Sequence, residues 1–163
     1  MKNIEVEMGN IIVAKEKNNL IALGIGSCLV VTLYDSKRNI GALAHTMLPA
    51  HRLSFEVNNL KDERRKRNPE SPDTKYADIA IEEMAKRMEA LGARIEDMEA
   101  KLIGGANMFP AFESNIGKNN ISSAKEKLKK LGITIAGECV GGSQGRSVEF
   151  SVTTGIVTVK TKF

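Results

Sequence analysis

The chain has 163 residues, a length typical of one domain that buries roughly 70% of the surface exposed by its unfolded form. Hydrophobic residues make up 42% and charged residues 27% of the sequence, which excludes wholesale disorder. With two cysteines, no Trp and 4% aromatic residues, the composition also excludes a disulfide scaffold, a four-cysteine zinc site and an aromatic stacking platform for single-stranded nucleic acid.

The formal net charge of +4 comes mainly from one segment. Lys61–Arg67 contains five of the 24 basic residues and two of the 20 acidic ones, so the rest of the chain has a net charge of only +1. This segment lies in a long, polar and basic connection predicted over residues 50–75. We interpret it as a solvated loop, with a docking patch for an acidic partner as the alternative.

Alternating and β-branched residues predict that the first part of the chain forms strands. Gly24–Cys28 is a sharp glycine corner between two of them, and Asp35–Asn39 has the composition of a hairpin turn. The predicted strands are Ile4–Met8, Ile11–Val13, Leu20–Ile25, Leu29–Tyr34 and Ile40–Leu48.

Two main helices are predicted in the second half of the chain. Apolar residues recur at spacings of three and four over Tyr76–Leu91, with Asp73 or Thr74 as the N-cap, and over Ile121–Leu131, which ends before Gly132. Further strands are predicted at Glu99–Ile103 and Ile133–Ala136, followed by a terminal hairpin around Thr153–Gly155. This order predicts one α/β domain over residues 1–163, built around one large sheet or two smaller ones.

An uncharged stretch, Asn18–Tyr34, superficially resembles a signal peptide or a short membrane span. It contains polar residues and glycines, and it has fewer than the ~20 apolar residues that a spanning helix needs. We therefore expect a cytoplasmic protein without direct membrane insertion, whose two thiols are reduced.

Cys28 is the first candidate for chemistry. It follows Gly26 and Ser27 at the glycine corner, where the backbone can turn sharply and leave N–H groups unpaired. Such N–H groups can stabilise the oxyanion formed when a thiolate attacks a carbonyl. The alternative is that Cys28 is a small buried apolar residue.

His45 lies on the predicted return strand, among small and apolar residues. If the strands on either side of the 35–39 turn form one hairpin, Cys28 and His45 lie on adjacent strands and can come close together. A histidine there could take the thiol proton and deliver it to a leaving amine. The alternative is a buried histidine with a hydrogen-bonded ring. His51 falls beyond Pro49, in the polar connection.

The remaining candidates are interpreted as structural. Cys139 has no histidine near it in sequence, and the cysteines and histidines lack metal-type spacing, so neither a metal nor another cofactor is predicted. Gly117–Lys118 lacks the flanking residues of a phosphate-binding loop. The pairs Gly104–Gly105 and Gly141–Gly142 are interpreted as tight turns.

Seven short motifs occur in a fixed order along almost the whole chain: Leu23–Cys28, Leu33–Asp35, Ala44–Pro49, Lys75–Asp78, Ile103–Phe109, Asn115–Asn119 and Gly145–Phe150. As a set they resemble the CheD family of chemoreceptor glutamine deamidases. The resemblance implies an α-β-β layered sandwich similar to the deamidase domain of the cytotoxic necrotizing factor toxins. It also implies a protein-glutamine glutaminase of the cysteine hydrolase type, with Cys28 as nucleophile and His45 as base. The implied substrates are methyl-accepting chemotaxis receptors, and the implied partner is the CheC phosphatase.

Ala22 departs from the family pattern, which has a threonine six residues before the cysteine. An alanine cannot orient the His45 ring, so a backbone carbonyl, a water molecule or a hydroxyl such as that of Thr46 would have to do so. Ala22 therefore leaves a second function open, a CheD-like regulatory protein that acts mainly through CheC. A third and weaker alternative is a nucleic-acid-binding module that uses Lys61–Arg67.

Overall fold

The structure contains a mixture of strands and helices. It is a computed structural model that describes residues 1–50, 72–109 and 115–161. The strands are β1 (Lys2–Glu5), β2 (Ile11–Lys15), β3 (Asn18–Ile25), β4 (Leu29–Asp35), β5 (Ile40–Thr46), β6 (Met98–Gly104), β7 (Thr134–Val140), β8 (Arg146–Ser151) and β9 (Val157–Thr161). Helix α1 spans Ala77–Ala90, helix α2 spans Ile116–Leu131, and a short 3₁₀ turn spans Ile95–Asp97. The predicted α/β class with two main helices is confirmed.

The strands form two sheets. A five-stranded sheet has the order β2-β5-β4-β6-β7, and a four-stranded sheet has the order β1-β3-β8-β9. The predicted hairpin around residues 35–39 is confirmed, because β4 and β5 pair antiparallel with Val30 opposite His45 and Leu29 opposite Thr46. The terminal hairpin is confirmed as well, since β8 and β9 pair antiparallel.

Central strand β4 is covered on both faces. Leu29, Val31 and Leu33 belong to the apolar core shared with the two helices, whereas Val30 belongs to the core between the two sheets. A strand that is buried on both faces has an almost continuous run of apolar residues, which explains the apolar sequence of β4. The layers are therefore helices, five-stranded sheet and four-stranded sheet, as the α-β-β prediction requires; the likeness to the toxin domain stays a prediction.

Two crossings between the sheets position the candidate site. Residues 6–10 lead from β1 to β2, and residues 26–28 lead from β3 to β4, so each segment leaves the four-stranded sheet and enters the five-stranded one. The second crossing follows an irregular end of β3, where the pairing with β8 shifts register between Ala22 and Ile25 and Gly24 adopts a φ of 63°.

The predicted cap of the first helix is wrong. The N-cap residue is Tyr76, which has no side-chain cap bond, and the Thr74 hydroxyl instead donates to the Gly9 carbonyl. The reason is that the Leu48 carbonyl accepts from the first helical N–H, that of Ala77, at 2.8 Å. A backbone acceptor from the end of the β5 segment therefore replaces the expected side-chain cap.

Several element boundaries also differ from the predictions. Strand β1 lies earlier than predicted because, after the Val6 N–H donates to Ile21 of β3, the chain turns and Gly9 and Asn10 bond to His45 of β5. Strand β5 ends at Thr46 rather than Leu48. Strand β7 continues to Val140, beyond the predicted end at Ala136 and through Cys139, because it pairs in parallel with β6. No helix in the described ranges is long and apolar enough to cross a membrane.

Candidate active site

The corner that carries Cys28 is held by its backbone carbonyls. Those of Gly26 and Cys28 accept hydrogen bonds from the N–H groups of Ala106 and Gly105, at 3.0 and 2.8 Å. The carbonyl of Ser27, between them, accepts from the side chain of Asn120 at 2.9 Å. In a trans peptide the N–H points away from the preceding carbonyl. The Ser27 N–H therefore points away from Ala106, and the Cys28 N–H points away from Asn120. Neither N–H donates to a backbone carbonyl of another described residue.

The first crossing, residues 6–10, surrounds His45. The backbone N–H of His45 donates to the Asn10 carbonyl at 3.0 Å, and its carbonyl accepts from the Gly9 N–H at 2.7 Å. The ring Nδ1 lies 3.4 Å from the Val6 carbonyl. A carbonyl only accepts, so this long hydrogen bond requires the proton on Nδ1 and leaves the lone pair on Nε2.

Nε2 of His45 is buried, and no partner for it occurs among the described residues. His45 as a whole residue is 3% exposed. Buried polar atoms are almost always hydrogen-bonded, so an unpaired one at a site of candidate chemistry is informative. Among the described residues the ring therefore has a partner at Nδ1 and none at Nε2, which favours the predicted base over the predicted alternative of a buried histidine with a hydrogen-bonded ring.

Cys28 and His45 lie on the same face of the five-stranded sheet. His45 is directly opposite Val30, whose side chain faces the core between the sheets. Cys28 precedes Val30 by two residues and packs against that same core. Its position relative to His45 is that of a diagonal cross-strand neighbour, which is within reach of a long or aromatic side chain. The predicted pairing of these two residues across one hairpin thus has the required register.

Burial favours the uncharged form of both side chains. It raises the pKa of the Cys28 thiol, against the smaller lowering effect of a hydrogen bond from the residue's own backbone N–H. It lowers the pKa of His45, and the Val6 carbonyl opposes this shift only in part. Both shifts favour a neutral thiol and a neutral imidazole over an ion pair.

A cleft of about 530 Å³ opens beside the corner. Its walls are the strand end that leads to Cys28 and the turn that precedes β8. The lining residues are Gly24, Ile25, Gly26, Met108, Ser143, Gln144, Gly145 and Arg146.

Arg146, one of the lining residues, forms hydrogen bonds to both glycine pairs beside this cleft. It is 8% exposed, and its guanidinium donates to the Gly104 carbonyl at 3.3 Å and to the Gly141 carbonyl at 2.7 Å. Gly104, Gly105, Gly141 and Gly142 all have positive φ values, a backbone conformation that favours glycine. Gly104 is the last residue of β6 and Gly141 directly follows β7, so both predicted turns fall at strand ends. Arg146 has no carboxylate partner within the part of the chain that the structure describes.

The structure separates the other candidates from this site. Cys139 packs against the same core between the sheets as Cys28, but it lies on β7, in register with Ile103, two strands away from β4. None of Cys28, His45 and Cys139 is among the residues that line the cleft. The Thr46 hydroxyl donates to the Leu29 carbonyl at 2.8 Å. His51 and Lys61–Arg67 lie outside the described residues. The described residues contain no group of three or more His, Cys, Asp or Glu side chains that could hold a metal ion.

Two contacts of the site were not predicted. The Val6 carbonyl has no sequence signature, because any residue supplies one. Asn120 did have a signal, since it falls in the helical stripe formed with Gly117, Ala124 and Leu128. A fully buried Asn in an apolar stripe indicates a specific polar contact.

These features define an α/β protein of two stacked sheets covered by helices, with a cysteine and a histidine beside a sheet crossing. A family model for CheD chemotactic sensory transduction matches residues 47–161. A protein of Methanococcus maripaludis named "Probable chemoreceptor glutamine deamidase CheD" is 41% identical over 160 residues, covering 97% of this chain and 94% of the relative. A protein of the same name from Clostridium botulinum is 37% identical over 165 residues, covering 99% and 94%. The chain belongs to the CheD family.

Proposed function

We propose that the protein hydrolyses the side-chain amide of selected glutamines on chemotaxis receptors, giving glutamate and ammonia in the cytoplasm. Membership of the CheD family and the names of the relatives support the substrate and the reaction. The observation that carries the chemistry is the state of His45. Its Nδ1–H donates to the Val6 carbonyl, and its unpaired Nε2 lies on the same sheet face as Cys28.

In the first half-reaction, the Cys28 Sγ attacks the amide carbon of the glutamine as the thiol proton passes to His45 Nε2. A carbon–sulfur bond forms, and the carbonyl electrons move to oxygen, which accepts hydrogen bonds from the backbone N–H groups at Gly26, Ser27 and Cys28. His45 then protonates the amide nitrogen, the carbon–nitrogen bond breaks, and ammonia leaves. The product is a thioester between Cys28 and the receptor.

In the second half-reaction, His45 takes a proton from water as the water oxygen attacks the thioester carbon. The carbon–sulfur bond breaks, glutamate is released, and the proton returns to the sulfur. General acid–base catalysis of this kind contributes about 10²- to 10⁴-fold to the rate. The two uncharged resting groups suit this mechanism, because the proton moves only when the substrate is attacked.

The contact between Nδ1 and the Val6 carbonyl bears on the alternative function. Ala22 is fully buried and offers no hydroxyl, which motivated the purely regulatory alternative. In the catalytic proposal, the Val6 carbonyl takes the place of the family's threonine, since it fixes the tautomer and orientation of the ring. This substitution favours the enzyme over a regulatory protein without activity.

A protein substrate and a protein partner both suit the surroundings of the cleft. Leu23, Met108 and Phe109, within or directly next to the lining segments, are 52%, 42% and 70% exposed. Large exposed apolar side chains grouped at one place favour a protein-binding surface. We propose that receptor segments bind here and that the CheC phosphatase, the partner implied by the family resemblance, regulates access.

The test is deamidation of receptor cytoplasmic fragments, followed by ammonia release and by the mass of glutamine-containing peptides. The wild type should convert specific glutamines to glutamates. Cys28→Ala and His45→Ala should lose activity by at least about 10²-fold while keeping the fold. Cys139→Ala is the matched control, because it removes the other thiol and should retain activity.

Different outcomes separate the two functions. Wild-type protein that binds CheC but deamidates no receptor fragment would contradict the enzyme proposal and support the regulatory one. Activity that survives in Cys28→Ala but is lost in Cys139→Ala would exclude Cys28 as the nucleophile.

A further inference from the structure

Asn120 is the buried polar residue that touches both segments of the candidate site. It lies in the second turn of α2 and is 0% exposed. Its Nδ2 group donates to the Ser27 carbonyl at 2.9 Å and to the Met47 carbonyl at 3.2 Å. Ser27 directly precedes Cys28, and Met47 follows His45 by two residues. One side-chain amide therefore ties the two chain segments together.

The bond to Ser27 also sets the direction of the next N–H. Because the Ser27 carbonyl points at Asn120, the Cys28 N–H in the same peptide plane points the opposite way. Donation to a carbonyl polarises the peptide and strengthens its N–H as a donor. Asn120 thus acts on the same N–H group that the proposed reaction uses to hold the oxyanion.

A close helix approach brings Asn120 to this position. A Cβ on Gly117 would lie 2.5 Å from the Gly105 carbonyl oxygen and 2.8 Å from that of Ala106. Only glycine lets the first turn of α2 contact the loop that anchors Gly26 and Cys28. Asn120, three residues later on the same helix face, then reaches beneath the corner.

The second polar atom of the amide makes Asn120 costly to bury, so the two hydrogen bonds that it donates are what this residue supplies here. Oδ1 of Asn120 is buried, and the described residues provide no hydrogen-bond partner for it. Leaving such an atom unpaired costs stability. An apolar residue would avoid this cost but could not donate to the two carbonyls.

We propose that Asn120 is a positioning residue, which holds the Cys28 peptide and the end of the His45 strand in their reactive arrangement. This inference rests on the proposed deamidase activity. It assigns Asn120 no contact with the substrate. Removing the amide should therefore lower kcat and leave KM almost unchanged, since remote misplacement by about 1 Å can cost about 10²-fold in rate.

The experiment compares Asn120→Ala with Ser123→Ala. Ser123 is a matched control because it lies on the same helix and its hydroxyl also donates to a backbone carbonyl, that of Pro49, at 2.9 Å. Deamidation kinetics should show kcat reduced about 10- to 100-fold in Asn120→Ala, with KM within about threefold, and wild-type kinetics in Ser123→Ala. Should Asn120→Ala fail to fold, Asn120→Ser provides the same comparison.

A second readout does not depend on enzyme activity. In ¹⁵N–¹H spectra, the Cys28 amide resonance should shift in the Asn120 variant and stay in place in Ser123→Ala. The wild type could fail to deamidate any receptor fragment while the Cys28 resonance still shifts in the Asn120 variant. In that case the proposed function fails, and the link between Asn120 and Cys28 stands. A folded Asn120 variant with wild-type kcat and an unmoved Cys28 resonance would overturn the inference.

Discussion

Gly104→Ala provides a quantitative test of how tightly the Cys28 corner is built. Gly104 has a φ of 114°, and a Cβ there would lie 2.4 Å from the Cys28 carbonyl oxygen and 2.7 Å from Cγ2 of Ile25. The substitution would therefore add backbone strain, force the corner outward and weaken the bond from the Gly105 N–H to Cys28. Gly24→Ala is the matched control, because Gly24 has a φ of 63° and nothing would lie within 4 Å of a Cβ at this position.

The two variants differ in their expected cost. A left-handed backbone costs a non-glycine residue about 1 to 2 kcal/mol, which is all that Gly24→Ala should lose. Gly104→Ala adds about 1 to 3 kcal/mol of overpacking and about 0.5 to 1.5 kcal/mol for a hydrogen bond. Its total is about 3 to 6 kcal/mol, with the same strain included.

Thermal unfolding followed by calorimetry measures this difference. A chain of this size loses about 3 °C in Tm per kcal/mol. We expect Gly24→Ala to melt about 3 to 6 °C below the wild type and Gly104→Ala about 9 to 18 °C below it. Midpoints within about 3 °C of each other would refute the close contact between Gly104 and the Cys28 carbonyl.

Three further predictions concern His45, Ala22 and Arg146. Burial lowers the pKa of His45, so protonation should inactivate this base only at acidic pH. In a pH profile of kcat/KM, the acid limb should therefore lie below about pH 6.5. An acid limb at or above that pH would contradict a neutral resting imidazole. Ala22→Thr should leave kcat within about threefold of the wild-type value. It should lower the free energy of unfolding, measured in urea, by about 1 to 3 kcal/mol. A tenfold gain in kcat would show that the Val6 carbonyl does not orient the His45 ring. Arg146→Met should destabilise the fold by about 1 to 3 kcal/mol in the same assay, because the buried Gly104 carbonyl and the partly buried Gly141 carbonyl lose their charged donor. An equally stable variant would contradict this role.

The local parts of the site could be predicted from the sequence. The turn at residues 35–39 and the β-branched run before it determine the hairpin, and the hairpin register places Cys28 and His45 on one sheet face. The glycine corner was likewise predicted from its composition. Such features depend on neighbours within about twenty residues, which short-range patterns describe well.

The distant parts could not be predicted in the same way. The Val6 carbonyl and the N–H groups of Gly105 and Ala106 are backbone atoms, which carry no side-chain signal. Tertiary pairing also overrode local composition, since parallel pairing with β6 extends β7 through Gly137 to Val140. Helix α2 begins at Ile116, before its apolar periodicity becomes regular, because Gly117 packs against the 104–106 turn.

The anchoring of the corner has a consequence for how the protein becomes active during synthesis. The β4–β5 hairpin closes over a short stretch of chain, so the thiol and the imidazole can meet early in folding. The groups that hold the corner, at Gly105, Ala106 and Asn120, are supplied about 80 to 90 residues later, and such long-range contacts form late. We expect a nascent chain that ends before α2 to contain both reactive side chains without a shaped oxyanion site. In the proposed deamidase, catalytic competence would then arrive only when the second helix docks.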